Sequence, residues 1–176
     1  MKNILVIEDW QPIAQAIKAL LEDAGHQVTW LVGASSHQLT DGGVILSGLT
    51  ADGQTVEVDC RQYQAAFVDG QVEGTLQGPA LVELLVASKV PCCGMSTDSK
   101  LNVEMTALGA KLAAKKPVVL AALVSRRISA ESVARPTRSQ ATMLSNLEGR
   151  FMSAEFQDLR HECDARVTAF FNEGKH

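Results

Sequence analysis

The sequence predicts an α/β fold in which a parallel sheet of five strands is covered by helices on both faces, and three observations predict it. Short, wholly apolar runs recur along the chain, as strands buried on both faces require. Segments with apolar residues at helical spacing separate most of these runs. Polar and acidic residues fall repeatedly at the carboxyl ends of the runs, where open parallel sheets bind their ligands. The chain has 176 residues, 46% of them hydrophobic, enough for one domain with a real core and an appendage.

Ile4-Leu5-Val6-Ile7 is the first such run, and Glu8-Asp9 ends it. Pro12 then suits a first helical turn, with Ile13, Ile17, Leu20 and Leu21 at helical spacing and Gly25 as the stop. His26 to Val32 reads as the second strand. Ala65 to Val68 is the third, ending at Asp69, and a Gly-rich loop leads from it to a helix marked by Leu81, Leu84 and Leu85. Val90 to Met95 is the fourth strand, closed by Ser96-Thr97-Asp98. A helix over Asn102 to Leu108 stops at Gly109, Lys111 to Lys115 forms the fifth strand, and Val118 to Ile128 the last helix of the domain.

Two regions exceed this plan. Between residues 33 and 63, the arms Gly43 to Leu49 and Gln54 to Asp59 flank Thr50-Ala51-Asp52-Gly53, a strong hairpin signal, so a hairpin over about 40–60 is expected before the third strand. After Ala134-Arg135-Pro136-Thr137 the chain runs without proline from Ser139 to about Asn172. Leu144, Leu147, Phe151 and Ala154 make one apolar stripe there, and Phe156, Cys163, Val167 and Phe170 a second. The division expected is a domain over 1–130 and a helical extension over 131–176, whose apolar stripe either forms a homodimer or partner contact or packs on its own domain.

A net charge of −4 and a pI near 5.5 argue against binding driven by the nucleic-acid backbone. From residue 125 onward eight Lys or Arg meet seven Asp or Glu, a balance that suits a solvated amphipathic helix better than a DNA reader. The start of the chain lacks a signal-peptide pattern and no apolar stretch approaches a membrane span, so a soluble, cytoplasmic protein is expected. Cys60, Cys92, Cys93 and Cys163 form no CxxC pair, and a reduced compartment is the simplest inference.

The chemistry lies at the strand ends. Glu8, Asp9 and Asp69 fall at one edge of the sheet and would repel one another without a cation; Mg²⁺, which takes hard oxygen ligands from one or two carboxylates plus a phosphate, is the natural guest. It would offset the charge of a phosphoryl group attacked by the Asp69 carboxylate. Lys116 can place an ammonium against one phosphoryl oxygen and Ser96 a hydroxyl against another. Each residue alone has an ordinary explanation: a solvated loop carboxylate, a turn serine, a surface lysine. Their order along the chain, at the ends of strands one, three, four and five, is the informative signal.

With the hairpin set aside, residues 1–128 resemble the receiver domain of two-component response regulators. The likeness rests on Ile4-Leu5-Val6-Ile7-Glu8-Asp9, on Ala66-Phe67-Val68-Asp69, on Pro91 to Ser96, and on Gly109-Ala110 through Lys116-Pro117. It implies a flavodoxin-like, doubly wound sheet of order 2-1-3-4-5. It also implies phosphorylation on Asp69, Mg²⁺ held by Glu8, Asp9, Asp69 and the main-chain carbonyl of Gln71, and a cis bond at Lys116–Pro117. A sensor histidine kinase or phosphotransfer protein and a downstream protein partner would follow, for a regulatory domain rather than an enzyme. Two departures stand out: Gly70 to Pro79 lacks the family's Met-Pro pair and looks one residue longer, and the family's switch aromatic falls on Ala113. A receiver-like adaptor that works without phosphate is therefore the alternative reading. A phosphatase of the haloacid dehalogenase type would need a second Asp where Gln71 stands.

Overall fold

A computed structural model describes residues 1–150 and Ala165. Five parallel strands, β1 (Asn3–Ile7), β2 (Gln27–Leu31), β6 (Ala65–Asp69), β7 (Cys92–Met95) and β8 (Leu112–Ala114), form one sheet in the order β2-β1-β6-β7-β8. Counted within this sheet, that is the predicted order 2-1-3-4-5. Register follows burial: Ile4 and Val6 face one layer, and Leu5 and Ile7 the other.

On the first face lie α1 (Gln11–Asp23) and α4 (Lys116–Val124), with Ile13, Ile17, Leu120 and Leu123 in a core with Phe67 and Met95. On the second lie α2 (Gly78–Ala87) and α3 (Ser99–Ala107), with Leu81, Leu85 and Met105 against Leu5, Ile7 and Val68. The third helix begins three residues before the expected start, because the Asp98 side chain accepts the Lys100 amide at 2.8 Å and caps it. The fourth ends at Val124 rather than Ile128, and Arg126, at φ 55°, turns the chain into the short α5 (Ala130–Ala134).

The expected hairpin is a three-stranded antiparallel sheet: β3 (Gly33–Thr40), β4 (Gly43–Leu49) and β5 (Thr55–Asp59), ordered β3-β4-β5. The arms around Asp52-Gly53 are the predicted β4 and β5. The additional strand β3 carries Ser35-Ser36-His37-Gln38, an exposed polar stretch without the apolar alternation that reveals strands. This small sheet replaces a crossover helix between β2 and β6, and Ala34, Val44, Leu46 and Val58 join the second core.

The helix α6 (Arg138–Arg150) follows the predicted break at Pro136. Leu144 and Leu147 are 1% and 5% exposed and belong to the first core with Leu112, Ala114 and α4, so the described part of the extension packs on its own domain. The rest of the expected stripes, from Phe151 to Phe170, lies outside the described residues. Among the described residues no helix is long and apolar enough to cross a membrane. Cys60, Cys92 and Cys93 are buried free thiols, and burial pushes Cys60 up to about 11 and Cys93 up to about 12, which leaves them unreactive packing groups.

Candidate functional site

The carboxyl edge of the five-stranded sheet gathers most of the predicted side chains. Glu8 follows β1 directly, and its amide donates to the Leu31 carbonyl at 3.0 Å, which draws the residue into the sheet and buries it completely. Asp69 is the last residue of β6 and is 2% exposed. Asp9, one residue beyond Glu8, stands at the surface. One oxygen from each of Glu8, Asp9 and Asp69 lies within 4.8 Å of the others.

Lys116 ties two of them together. Its Nζ lies 2.8 Å from Glu8 Oε1 and 2.6 Å from Asp69 Oδ2. It is the first residue of α4, and Pro117 occupies the next position, where a missing amide hydrogen costs no helical bond. The Lys116–Pro117 bond is trans, which corrects the cis expectation: the described chain contains no cis peptide, and the pair serves as a helix start instead.

Burial raises the Glu8 carboxyl to about 7, with Asp69 adding to the effect and Lys116 opposing it. Asp69 is likewise raised by burial, against the pull of Lys116 and of the Gln71 amide, which donates to Asp69 Oδ1 at 3.3 Å. For Lys116, burial acts downward, but the two carboxylates outweigh it and hold the ammonium above its usual range. When both carboxyls are ionised, one cation between them leaves a surplus negative charge. Glu8 Oε2 is buried with no hydrogen-bond partner. Hard oxygen donors, surplus charge and an unpartnered carboxylate oxygen together suit a small divalent cation, so the residues fit Mg²⁺.

Ser96 follows β7 and is 2% exposed. Its Oγ accepts the Asp98 amide at 3.1 Å and its carbonyl accepts Asn102 Nδ2 at 2.9 Å, so it performs the turn role expected of a lone serine. The hydroxyl hydrogen stays available for donation. The site presses against it: a Cβ on Gly70 would lie 2.7 Å from Ser96 Oγ. Gln71 is exposed beside Asp69.

Several contributors carry no motif of their own. The Trp10 amide donates to Glu8 Oε1 at 3.0 Å, and Trp30 Nε1 donates to the Glu8 carbonyl at 2.8 Å. Gly78 begins α2 so close to β6 that a Cβ there would lie 2.2 Å from the Asp69 carbonyl oxygen. The loop from Gly70 to Gln77, the part least like the family, is held on two sides. Gln77 accepts from the Val72 amide and donates to the Val72 and Gly74 carbonyls. Glu73 and Leu76 donate their amides to the Val32 and Ala34 carbonyls, each at 3.1 Å, and Thr75 Oγ1 donates to the Ser35 carbonyl. The inserted sheet thus buttresses the loop that follows Asp69.

Ala113 pairs with Gly94 across β8 and β7, and neither residue offers a side chain large enough to rotate. Met105 packs against Gly94, where an added Cβ would lie 2.9 Å from its Cε.

No family model matches this sequence, and no curated protein matches it. Solved structures do. The receiver domain of NtrX from Brucella abortus superposes with a TM-score of 0.53 at 19% identity, over 76% of this chain and 99% of that one. A putative response regulator from Chloroflexus aurantiacus J-10-fl gives 0.51 at 15% identity, over 76% of this chain and 98% of that one. A two-component response regulator from Clostridium difficile gives 0.51 at 14% identity, over 78% and 99%. The chain therefore has the receiver fold of response regulators, with an antiparallel sheet added between β2 and β6.

Proposed function

We propose that this chain is a phosphoacceptor module of a two-component system and that Asp69 takes the phosphoryl group. The observation that carries the reading is the convergence of Glu8, Asp9, Asp69 and Lys116 at one sheet edge, with one buried carboxylate oxygen unpartnered. An Asp69 carboxylate oxygen attacks the phosphorus of a phosphohistidine or small acyl phosphate donor. A new P–O bond forms as the bond to the donor breaks, and the donor leaves with its electron pair. Glu8, Asp9, Asp69 and the Gln71 carbonyl would hold Mg²⁺, which supplies charge neutralisation at the phosphoryl oxygens. Lys116, already beside Asp69, pairs with one of those oxygens, and the Ser96 hydroxyl donates to another.

The donor would be a sensor histidine kinase or a phosphotransfer protein. A net charge of −4 favours output to a protein partner over output to DNA. Labelling with a small phosphodonor and Mg²⁺ tests the acceptor: wild type is modified and Asp69→Asn is not. Absence of Asp69-dependent product would refute the reading.

The pairing of Ala113 with Gly94 favours a second reading, an adaptor that binds its partner without phosphate. Equal partner affinity for wild type and Asp69→Asn would support that version.

A further inference from the structure

The opposite edge of the five-stranded sheet holds a cleft that the phosphoacceptor reading does not use. It has a volume of about 940 Å³ and lies beneath the amino ends of β1, β6 and β7, with the joint between α5 and α6 as its far wall. A strand of five residues separates the two ends by about 16 Å. In a chain with more acidic than basic residues, four cations line this cleft, Lys2, Arg61, Lys89 and Arg135, against one acid, Glu131.

Local pairing decides which of these charges can serve a ligand. Arg61 is held by Asp59 at 2.8 Å. Glu131 is shared by Lys2 at 3.4 Å and His26 Nε2 at 3.8 Å. Lys89 and Arg135 make no ion pair among the described residues, although they flank the cleft from two different elements. Both sit on fixed backbone. Lys89 adopts φ 61° at the end of α2, where its amide donates to the Val86 carbonyl at 2.9 Å. Arg135 lies on a joint closed by Gln140, which donates to Ser132 Oγ at 2.7 Å and accepts from the Thr137 amide at 2.9 Å. An aromatic ring and a proline ring, Tyr63 and Pro91, line the same cleft, and the Tyr63 hydroxyl is tied to Thr29 Oγ1 at 3.0 Å.

Two cations with no ion pair among the described residues suit a phosphate dianion, and an anchored aromatic ring beside a proline suits a planar base. The volume falls in the range of small-molecule sites. We propose that this cleft binds a nucleoside phosphate, with Lys89 and Arg135 on the phosphates and the base over Tyr63 and Pro91. The ligand would bridge the sheet to the α5–α6 joint and so clamp the C-terminal extension onto the domain. This site is independent of the phosphoacceptor reading.

Calorimetric titration of the full chain at ~0.15 M salt, where exposed charges are screened as in cells, tests it with ADP, adenosine and inorganic phosphate. ADP should bind with one-to-one stoichiometry, at least about tenfold more tightly than either fragment. The double variant Lys89→Asn, Arg135→Gln should lose about tenfold or more in ADP affinity, with an unchanged circular dichroism spectrum and unchanged phosphodonor labelling of Asp69. Asparagine tolerates positive φ, so Lys89→Asn removes charge without new strain. Adenosine binding as tightly as ADP would overturn the role of the cations, and inorganic phosphate binding as tightly would overturn the nucleoside assignment. No binding of ADP, or equal binding by the double variant, would overturn the site.

Discussion

At the scale of single residues, the buried triad Glu8–Lys116–Asp69 makes predictions with opposite signs. The folded chain keeps a proton on Glu8 up to about 7, against 4.5 in the unfolded chain. Between those values the folded state binds more protons, so stability falls as pH rises through the window, by up to about 3 kcal/mol. Thermal unfolding in chelator should show that loss, Mg²⁺ should restore stability at the upper end, and Glu8→Gln should flatten the profile. A metal-free melting temperature that rises across the window would contradict the burial argument. Removing the cation does the reverse. Lys116→Met leaves two carboxylates buried without their partner and should cost about 3–5 kcal/mol near neutral pH by denaturant titration, with a smaller loss in acid where the carboxyls take up protons.

The positions of Glu8, Asp9, Asp69, Ser96 and Lys116 at or just beyond strand ends were legible because a short apolar run followed by a polar residue marks its own boundary. The trans bond at Lys116 was not, since Lys-Pro reads equally well as a turn or as the first helical turn. Nor were the amides of Trp10 and Gln71, because a backbone donor has no signature in side-chain identity.

At the scale of elements, the inserted sheet explains how the loop after Asp69 can lack the receiver pattern and still be held in place. Glu73, Thr75 and Leu76 are bonded to the segment Val32–Ser35, so the residues next to Asp69 take their shape partly from β3. Gly33 is the tightest point, where a Cβ would fall 1.8 Å from the Glu73 carbonyl oxygen. Gly33→Ala should therefore push the loop off the sheet. Amide hydrogen exchange at Glu73 and Leu76 should accelerate while that of β6 stays slow. Unchanged exchange at Glu73 would show that the loop holds its own shape. The β4–β5 hairpin was readable from Asp52-Gly53 and from the aliphatic alternation around it. β3 escaped because Ser35 to Leu39 are exposed on both faces, so no apolar alternation marks the strand and its character comes from pairing with β4 rather than from pattern.

At the scale of the whole molecule, the described part of α6 enters the domain core through Leu144 and Leu147, with Met143 packed beside them and Val133 of α5 in the same core. Leu144 and Leu147 close the first core over β8 and α4, and a helix with this stripe could equally have faced a second copy, which is why periodicity left the choice open. Burial separates the two cases. A dimer helix loses its partner on truncation and leaves a stable monomer, whereas a helix that completes the core takes stability with it. Leu144→Ala should thus cost about 2–5 kcal/mol in denaturant unfolding, independent of protein concentration. Leu144→Asp should destabilise further without shifting the mass seen by light scattering. A fall in stability that disappears at high protein concentration, or a halving of mass, would place the stripe between copies instead. A constant mass with lowered stability would mean that α6 shields the β8–α4 surface within each molecule, and a partner requiring that surface would first have to displace it.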